Sequence, residues 1–416
     1  MHFLIRILLF IVLYSAQTNL CAQSIYVQTQ SAENTAKALR QLGVPFYEGN
    51  EVHILATGVG KFNDMFSAIR KAKRFVHMDY FKFQNDSICS ELFHLLTKKV
   101  EQGVEVRIVY DSFGNQNSRN PIRKELLDSL RILGIQIYGF DRMKFPWINH
   151  LLHRNHHKIT VIDGEVAYSG GMNVADYYLH GKPGIGEWRD MHIKVFGPAV
   201  EGYEQIFEEM WYATTEERLA HQEYLGVNLS KKNQLLALAN RVPRETPSIM
   251  RDTYIAAIDN AQEIIQIVNP YTSLVNSVRK SLYRALDRGV RLQIMASFNS
   301  DMQMNSDVVA QEMYKLMKRG AEVYYYRNGF HHSKYMICDD VYCTVGTTNL
   351  DARSLRYDYE VNAFVFDESV ALELRKVFDK DVEERCTRVT PETFKSYFTL
   401  KRRFAGRFFG IFKKLL

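Results

Sequence analysis

One pattern is written twice in this chain. His156-His157-Lys158, followed five residues later by Asp163, recurs as His332-Ser333-Lys334, followed five residues later by Asp339. Each copy leads into a glycine and an asparagine at matching places, Gly170-Gly171-Met172-Asn173 and Gly346-Thr347-Thr348-Asn349. The offset from His156 to His332 is 176 residues, and it is the same from Lys158 to Lys334, Asp163 to Asp339 and Asn173 to Asn349. A chain of 416 residues built this way is expected to fold as two copies of one unit, because conserved spacing over such lengths requires the same turns in both.

The flanking segments repeat as well. In the first half, Ala68 to Lys73 reads as helix and Arg74 to Phe81 as strand. Ile88 to Glu101 then reads as helix, leading through Gly103 into a strand from Val104 to Tyr110. In the second, Tyr254 to Ala261 is helical, Glu263 to Val268 a strand, Ser273 to Asp287 a helix, and Val290 to Met295 a strand after Gly289. Alternating elements of this kind predict α/β units with a largely parallel sheet. The expected division is a first domain over residues 50–212, a polar linker over 213–247, and a second domain over 248–390.

The motif spacing carries chemistry. Residues i and i+2 of a strand share a face, so His156 projects with Lys158 and His332 with Lys334. The apolar residues that follow enter the core, and Asp163 or Asp339 closes the strand at a turn. The asparagines Asn173 and Asn349 then lie on the returning segments, where amide donors reach an oxyanion. A lysine beside a histidine disfavours a second positive charge and leaves the imidazole available as a nucleophile. By the same alternation His157 and His331 face away and, with His153, are bystanders.

Residues 1–22 read as a secretory signal with a cut after Ala22; the alternative is an uncleaved anchor, which is disfavoured because the apolar run Ile7 to Tyr14 is shorter than the ~20 residues of a spanning helix. Beyond it lie Cys89, Cys338, Cys343 and Cys386, whose spacing matches no zinc pattern; export would permit a disulfide between Cys338 and Cys343. The net charge of +6 is concentrated in residues 395–416, where Lys395, Lys401, Arg402, Arg403, Arg407, Lys413 and Lys414 occur with no acidic residue. The body is thus close to neutral, which disfavours a nucleic-acid partner. In the tail, Phe404, Phe408, Ile411, Phe412 and Leu415 recur at helical spacing opposite the basic residues, the pattern of an interfacial helix on anionic lipid or of a terminal helix docked on its own domain. The loop Met143 to Ile148 is a second candidate for lipid contact.

With both motifs in place, and with Arg154-Asn155, Trp188-Arg189-Asp190, Gly197-Pro198-Ala199-Val200, Asn269-Pro270-Tyr271 and Asn349-Leu350-Asp351-Ala352-Arg353-Ser354 followed by Glu360, the chain resembles the phospholipase D superfamily, and within it the bacterial cardiolipin synthases. The likeness runs from about Gly49 to the C-terminus. It departs from that family in lacking paired N-terminal membrane helices and in carrying Thr272-Ser273 after Pro270-Tyr271. The resemblance implies two α/β/α sandwich domains, each a mixed sheet flanked by helices, related by a pseudo-twofold axis with the active site at their interface. It implies a catalytic set of His156, Lys158, Asp163, His332, Lys334 and Asp339, with Asp163 and Asp339 bracing turns rather than touching substrate.

It further implies a phosphodiester exchange with no metal or other cofactor. His156 is the expected nucleophile, and His332 the acid and base. Lys158, Lys334, Asn173 and Asn349 hold the phosphate. Glu360 is expected to orient His332, and Asp190 to orient His156. The implied activity joins two phosphatidylglycerols into cardiolipin with release of glycerol; the alternatives are a phospholipase D that admits water and, less favoured, a nuclease of the same superfamily. The expected partners are phospholipids and an anionic membrane surface met through the tail, with the protein exported and peripheral on the outer face of the cytoplasmic membrane.

Overall fold

The computed structural model describes residues 29–141 and 152–412. The expected signal, the Met143–Ile148 loop, and Lys413, Lys414 and Leu415 of the tail lie outside the described residues.

The first half supplies β1 (Phe46–Leu55), β2 (Phe75–Tyr80), β3 (Glu105–Asp111), β4 (Gln136–Phe140), β5 (Lys158–Ile162), β6 (Val166–Gly170), a short β7 (Glu187–Arg189) and β8 (His192–Phe196). The second supplies β9 (Gln234–Arg241), β10 (Ile264–Val268), β11 (Arg291–Ser297), β12 (Glu322–Tyr326), a short β13 (Gly329–His331), β14 (Tyr335–Cys338), β15 (Tyr342–Gly346), β16 (Glu360–Phe366) and β17 (Cys386–Val389). All but β7 and β13 form one 15-stranded sheet, in the order β17-β12-β11-β10-β14-β15-β16-β9-β1-β8-β6-β5-β2-β3-β4. Apart from the added edge strand β17, this order reads the same from either end once β1 is matched to β9, β2 to β10, β5 to β14, β6 to β15 and β8 to β16. The duplicated sequence has folded as a duplicated half-sheet, joined edge to edge through the antiparallel pair β1 and β9.

Two expectations are corrected here. The sheet is not largely parallel: β2, β3 and β4 run parallel, as do β10, β11 and β12, whereas the motif strands and the central strands pair antiparallel. The expected linker, residues 213–247, contains β9. Its stretch Leu236-Ala237-Leu238-Ala239 is fully buried and forms the second half's side of the central seam.

Three apolar clusters explain why these elements hold together. One lies under the helices Gly58–Lys71 and Ser87–Glu101, through Phe62, Met65, Leu92 and Leu96. A second lies under the helices Ile249–Asn260, Asn276–Asp287 and Gln303–Met317, through Tyr254, Leu282 and Met313. The third sits on the opposite face and takes residues from both halves. There Tyr203 and Ile206 of the helix Ala199–Thr215 join Val370, Leu374 and Phe378 of the helix Glu368–Arg385. At roughly 1.5–3 kcal/mol for each fully buried large side chain, this shared core makes the halves one body.

The helix over residues 29–41 caps the second half, with Leu39 in its core and Thr35 Oγ1 donating to Tyr342 Oη at 3.1 Å. Among the described residues no helix is long and apolar enough to cross a membrane.

The proposed disulfide does not form. Cys343 pairs with Ile337 across the β14–β15 hairpin, so Cys338, one residue on, points to the other face of the sheet. Cys338 lies in the second-half core and Cys343 in the shared one, both as free buried thiols.

Candidate active site

The two motifs meet where the half-sheets abut. His156 lies two residues before β5 and Lys158 opens it; His332 and Lys334 lie just before β14, which begins at Tyr335. Each motif ends at an aspartate in the left-handed region, φ +56° at Asp163 and +53° at Asp339. The Asp163 carboxylate accepts from the backbone N–H groups of Lys73, Arg74 and Phe75 at 2.8–2.9 Å. Asp339 accepts from Gln262, Glu263 and Ile264 at 2.8–2.9 Å. These aspartates therefore tie the far end of each motif strand to the start of β2 or β10. They do not line the cleft that holds the histidines, and their contacts are those of the turn-bracing role expected of them.

The histidines are held by residues of the opposite half. His156 N donates to Tyr359 O at 3.0 Å, and its Nδ1 lies 2.9 Å from Glu360 Oε1. His332 N donates to Arg189 O at 2.6 Å, and its Nδ1 lies 2.7 Å from Asp190 Oδ2. The expected pairing, Glu360 with His332 and Asp190 with His156, is thus reversed. The cause is topological. β7 pairs in parallel with β13, which lays Trp188-Arg189-Asp190 along Phe330-His331-His332, while the bridge between Asn155 and Tyr359 does the same for Glu360 and His156.

The two carboxylates are nonetheless equivalents. Gly170 pairs with His192 and Gly346 with Asn362, and each acid lies two residues before its strand partner. Gly171 is required beside Asp190, since a Cβ there would stand 2.1 Å from Asp190 Oδ1. In the second half Thr347 occupies the corresponding place and donates its hydroxyl to Glu360 Oε2.

Burial governs the electrostatics. It pushes both imidazoles down to about 4, against the pull of Glu360 on His156 and with the adjacent Lys334 adding to the effect at His332. It also lowers Lys158 to about 7 and Lys334 to about 8, with Glu360 opposing the shift at Lys158 and Asp190 opposing it at Lys334. Glu360 moves the other way: burial opposes ionisation, but His156 and Lys158 outweigh it and hold the carboxyl at about 2. At neutral pH the free site therefore contains two neutral imidazoles, each with its Nδ1 proton fixed by a carboxylate.

The lysines differ. Lys158 Nζ donates to His156 O at 2.7 Å; Lys334 Nζ likewise donates to His332 O, at 2.5 Å, but also lies against the His332 ring, 2.8 Å from Nδ1 and 3.0 Å from Nε2. Among the described residues His156 Nε2 has no such partner.

His156, His332, Asn173 and Asn349 line one cleft of about 320 Å³. Asn173 and Asn349 are each 6% exposed, and their amide oxygens have no hydrogen-bond partner. The predicted bystanders are engaged elsewhere: His157 with Asp79 at 3.0 Å, His331 with Asp381 at 3.3 Å and His153 with Tyr357 O at 2.9 Å.

Sequence reasoning missed the aromatic walls. The Phe81 ring lies 5.2 Å from that of His156, and the Trp188 ring 5.4 Å from that of His332. It also missed the buried Asp111–Arg154 pair, at 3.0 Å, which with Asp111 accepting from Asn155 N at 2.9 Å fixes the segment entering His156. Arg154-Asn155 stands out in the sequence, but nothing there marks Asp111 as its partner.

Comparison with known proteins agrees with this architecture. A family described as cardiolipin synthase, PLD-like domain, matches residues 65–211 and 254–382, one segment in each half. A cardiolipin synthase of Oceanobacillus iheyensis is 32% identical over 339 residues, covering 82% of this chain and 70% of that protein. Cardiolipin synthase 2 of Staphylococcus epidermidis is 33% identical over 337 residues, covering 80% and 68%. Among solved structures, the phosphatidylserine synthase of Haemophilus influenzae superposes with a TM-score of 0.72 at 14% identity, covering 92% of this chain and 100% of that one.

Proposed function

The chain belongs to the cardiolipin synthase family of the phospholipase D superfamily and is a phosphatidyltransferase; from that premise we propose that phosphatidylglycerol is both donor and acceptor, that a phosphohistidine links the two half-reactions, and that glycerol is released. The observation that carries this reading is the pair of neutral histidines on one cleft, each anchored at Nδ1 by a buried carboxylate of the other half.

In the first step Nε2 of His156 attacks phosphorus, and the bond to the glycerol oxygen breaks. His332 supplies the proton that oxygen needs. The phosphodiester anion draws Lys334 off the His332 imidazole, and the same negative charge favours its protonated form. In the second step an alcohol oxygen bonds to phosphorus as the bond to His156 breaks, and the alcohol proton passes to His332. Lys158, Lys334, Asn173 and Asn349 stabilise the charge on the nonbridging oxygens as it develops. The assignment of His156 as nucleophile is supported by its Nε2, which has no partner among the described residues, whereas the Lys334 ammonium sits against the His332 ring.

A lipid surface suits the tail. The helix Leu400–Phe409 docks on the helix Gln303–Met317 through Arg402, whose Nε donates to Asp307 at 2.6 Å, and through Gly406, where a Cβ would stand 2.1 Å from Asp307 O. Its other side leaves Leu400, Phe404, Phe408 and Ile411 exposed at 50–75%. The two sequence alternatives are therefore combined: one face docks, and the other presents an apolar stripe among basic residues for an anionic bilayer. An exported, peripheral location on the outer face of the cytoplasmic membrane fits this reading.

The test is product analysis on labelled phosphatidylglycerol. Cardiolipin and glycerol are expected, with His156→Ala and His332→Ala each inactive but folded. Phosphatidic acid alone, without cardiolipin, would sink the transferase chemistry in favour of hydrolysis.

A further inference from the structure

Two lysines in the cleft have no part in the motif chemistry. Lys82 follows β2, and Lys182 lies in the turn after the short helix Tyr177–His180. Both are half-buried. Their ammonium groups stand 5.6 and 5.8 Å from the centre of the same ring, Tyr177, and Lys182 also lies 5.0 Å from the Trp188 ring. Burial lowers the Lys82 ammonium, and repulsion by Lys182 lowers it further.

Neither ammonium has a hydrogen bond or ion pair among the described residues. The acids that attract Lys82 are otherwise engaged. Asp301 accepts from Tyr271 Oη at 2.5 Å, and Asp86 accepts from the backbone N–H of Asp176 at 2.8 Å and of Cys89 at 3.3 Å. Two partly desolvated cations placed together without a direct ion pair are costly, and an anion between them lowers that cost.

We propose that Lys82 and Lys182 form an acceptor subsite that binds the phosphodiester of the incoming phospholipid. The inference rests on the transferase reading above. Position supports it: the Trp188 ring neighbours both Lys182, at 5.0 Å, and the His332 ring, at 5.4 Å. The glycerol of an acceptor phosphatidylglycerol spans a comparable gap, with three carbons between its free hydroxyl and its phosphate. With that phosphate on the lysines, the terminal hydroxyl reaches His332. Its oxygen bonds to the phosphorus held on His156, the phosphorus–nitrogen bond breaks, and the proton passes to His332. Water has no phosphate and gains nothing from the lysines, so the subsite favours transfer over hydrolysis.

The experiment compares two acceptors in one detergent-solubilised assay of the full chain: phosphatidylglycerol, read as cardiolipin, and deuterated glycerol, read as label exchanged into phosphatidylglycerol. In the double variant Lys82→Gln/Lys182→Gln, cardiolipin formation is expected to fall at least tenfold and glycerol exchange less than threefold, with phosphatidic acid a larger share of product. Lys82→Arg/Lys182→Arg, which keeps both charges, is expected to form cardiolipin within threefold of wild type. The subsite is overturned if both activities of the glutamine variant fall in the same ratio, if neither falls, or if the arginine variant loses as much as the glutamine one. Wild-type protein that yields neither cardiolipin nor exchange overturns the transferase reading itself, and the subsite with it.

Discussion

Replacing Glu360 by glutamine isolates what the crossed carboxylate contributes. The residue is fully buried, and its carboxyl sits at about 2 against an ordinary value of 4.5. At 1.36 kcal/mol per unit that difference amounts to about 3 kcal/mol of favourable interaction between the carboxylate and its surroundings. His156 and Lys158 are the main sources. Attack by Nε2 places positive charge on the imidazole, so most of this interaction is available to the transition state. About 3 kcal/mol corresponds to roughly a hundredfold in rate.

Glutamine keeps the size and the Thr347 contact but not the charge, and it no longer enforces one tautomer of His156. The assay is rapid quenching after mixing with a short-chain phosphatidylglycerol, with the covalent phosphatidyl-enzyme read by intact mass. Adduct formation is expected to slow by a hundredfold or more in Glu360→Gln. Formation within fivefold of the wild-type rate would refute the assignment of Glu360 as the partner of His156. The same depressed pKa makes Glu360 a contributor to stability that is complete above about pH 4.5 and lost as the pH falls toward 2, so the stability gap between wild type and variant should close over that window.

Lys158 and Lys334 hold their charge only below about 7 and about 8, and His156 is neutral only above about 4, so kcat/KM should fall as pH rises through 7–8 and fall again below about 4; a profile still rising at pH 9 would contradict the role of the lysine pair. Asp163→Ala or Asp339→Ala removes an acceptor shared by three backbone N–H groups, and also places alanine in the left-handed region. Each should cost ~3 kcal/mol or more and lower Tm by several degrees, while turnover well below Tm stays within a few-fold of wild type; a large loss of kcat in a fully folded sample would return these residues to the catalytic set. Phe404→Glu/Phe408→Glu should weaken binding to anionic vesicles at least tenfold in a sedimentation assay while leaving turnover of detergent-dispersed short-chain lipid within twofold, because both side chains point away from the docked face.

The parts of this molecule that were legible in the sequence are those set by local spacing. The motif strands, their closing aspartates and the asparagines of the returning segments all fall where a two-residue period and a fixed turn put them. Strand β9 was hidden because its apolar run, Leu235 to Ala239, sits between Lys231-Lys232-Asn233 and Arg241, and polar flanks of that kind read as linker. The histidine–carboxylate pairs were misassigned for another reason. Asp190 follows His156 in the chain and Glu360 follows His332, yet the true partners are 204 and 142 residues apart, brought together only when β7 aligns with β13 and Asn155 with Tyr359. Lys82 and Lys182 carried no signal, since a lysine becomes unusual only when burial and the lack of an ion pair are both visible.

The crossed pairing explains why the duplication is kept whole. A single half would present a histidine whose Nδ1 has no acceptor and a carboxylate buried without its histidine, an arrangement costly to the fold and useless to the chemistry. Two halves satisfy each other, and symmetry gives the phosphate a matched set of donors. Symmetry alone, however, would make the two histidines interchangeable, and a two-step exchange needs one nucleophile and one acid. The structure breaks the equivalence in the residues around the frame. On one side a short aspartate is seated against Gly171 and held by Met191 N at 2.7 Å; on the other a longer glutamate reaches His156 and takes the Thr347 hydroxyl. Both motif lysines donate to the carbonyl of their own histidine, but Lys334 also lies against its imidazole, while Lys158 leaves that of His156 open. Lys182 and Trp188 are likewise supplied by the first half, with Trp188 beside His332 and Lys182 beside Trp188. Duplication supplies the geometry for holding a phosphate, and divergence between the copies gives each histidine its own step.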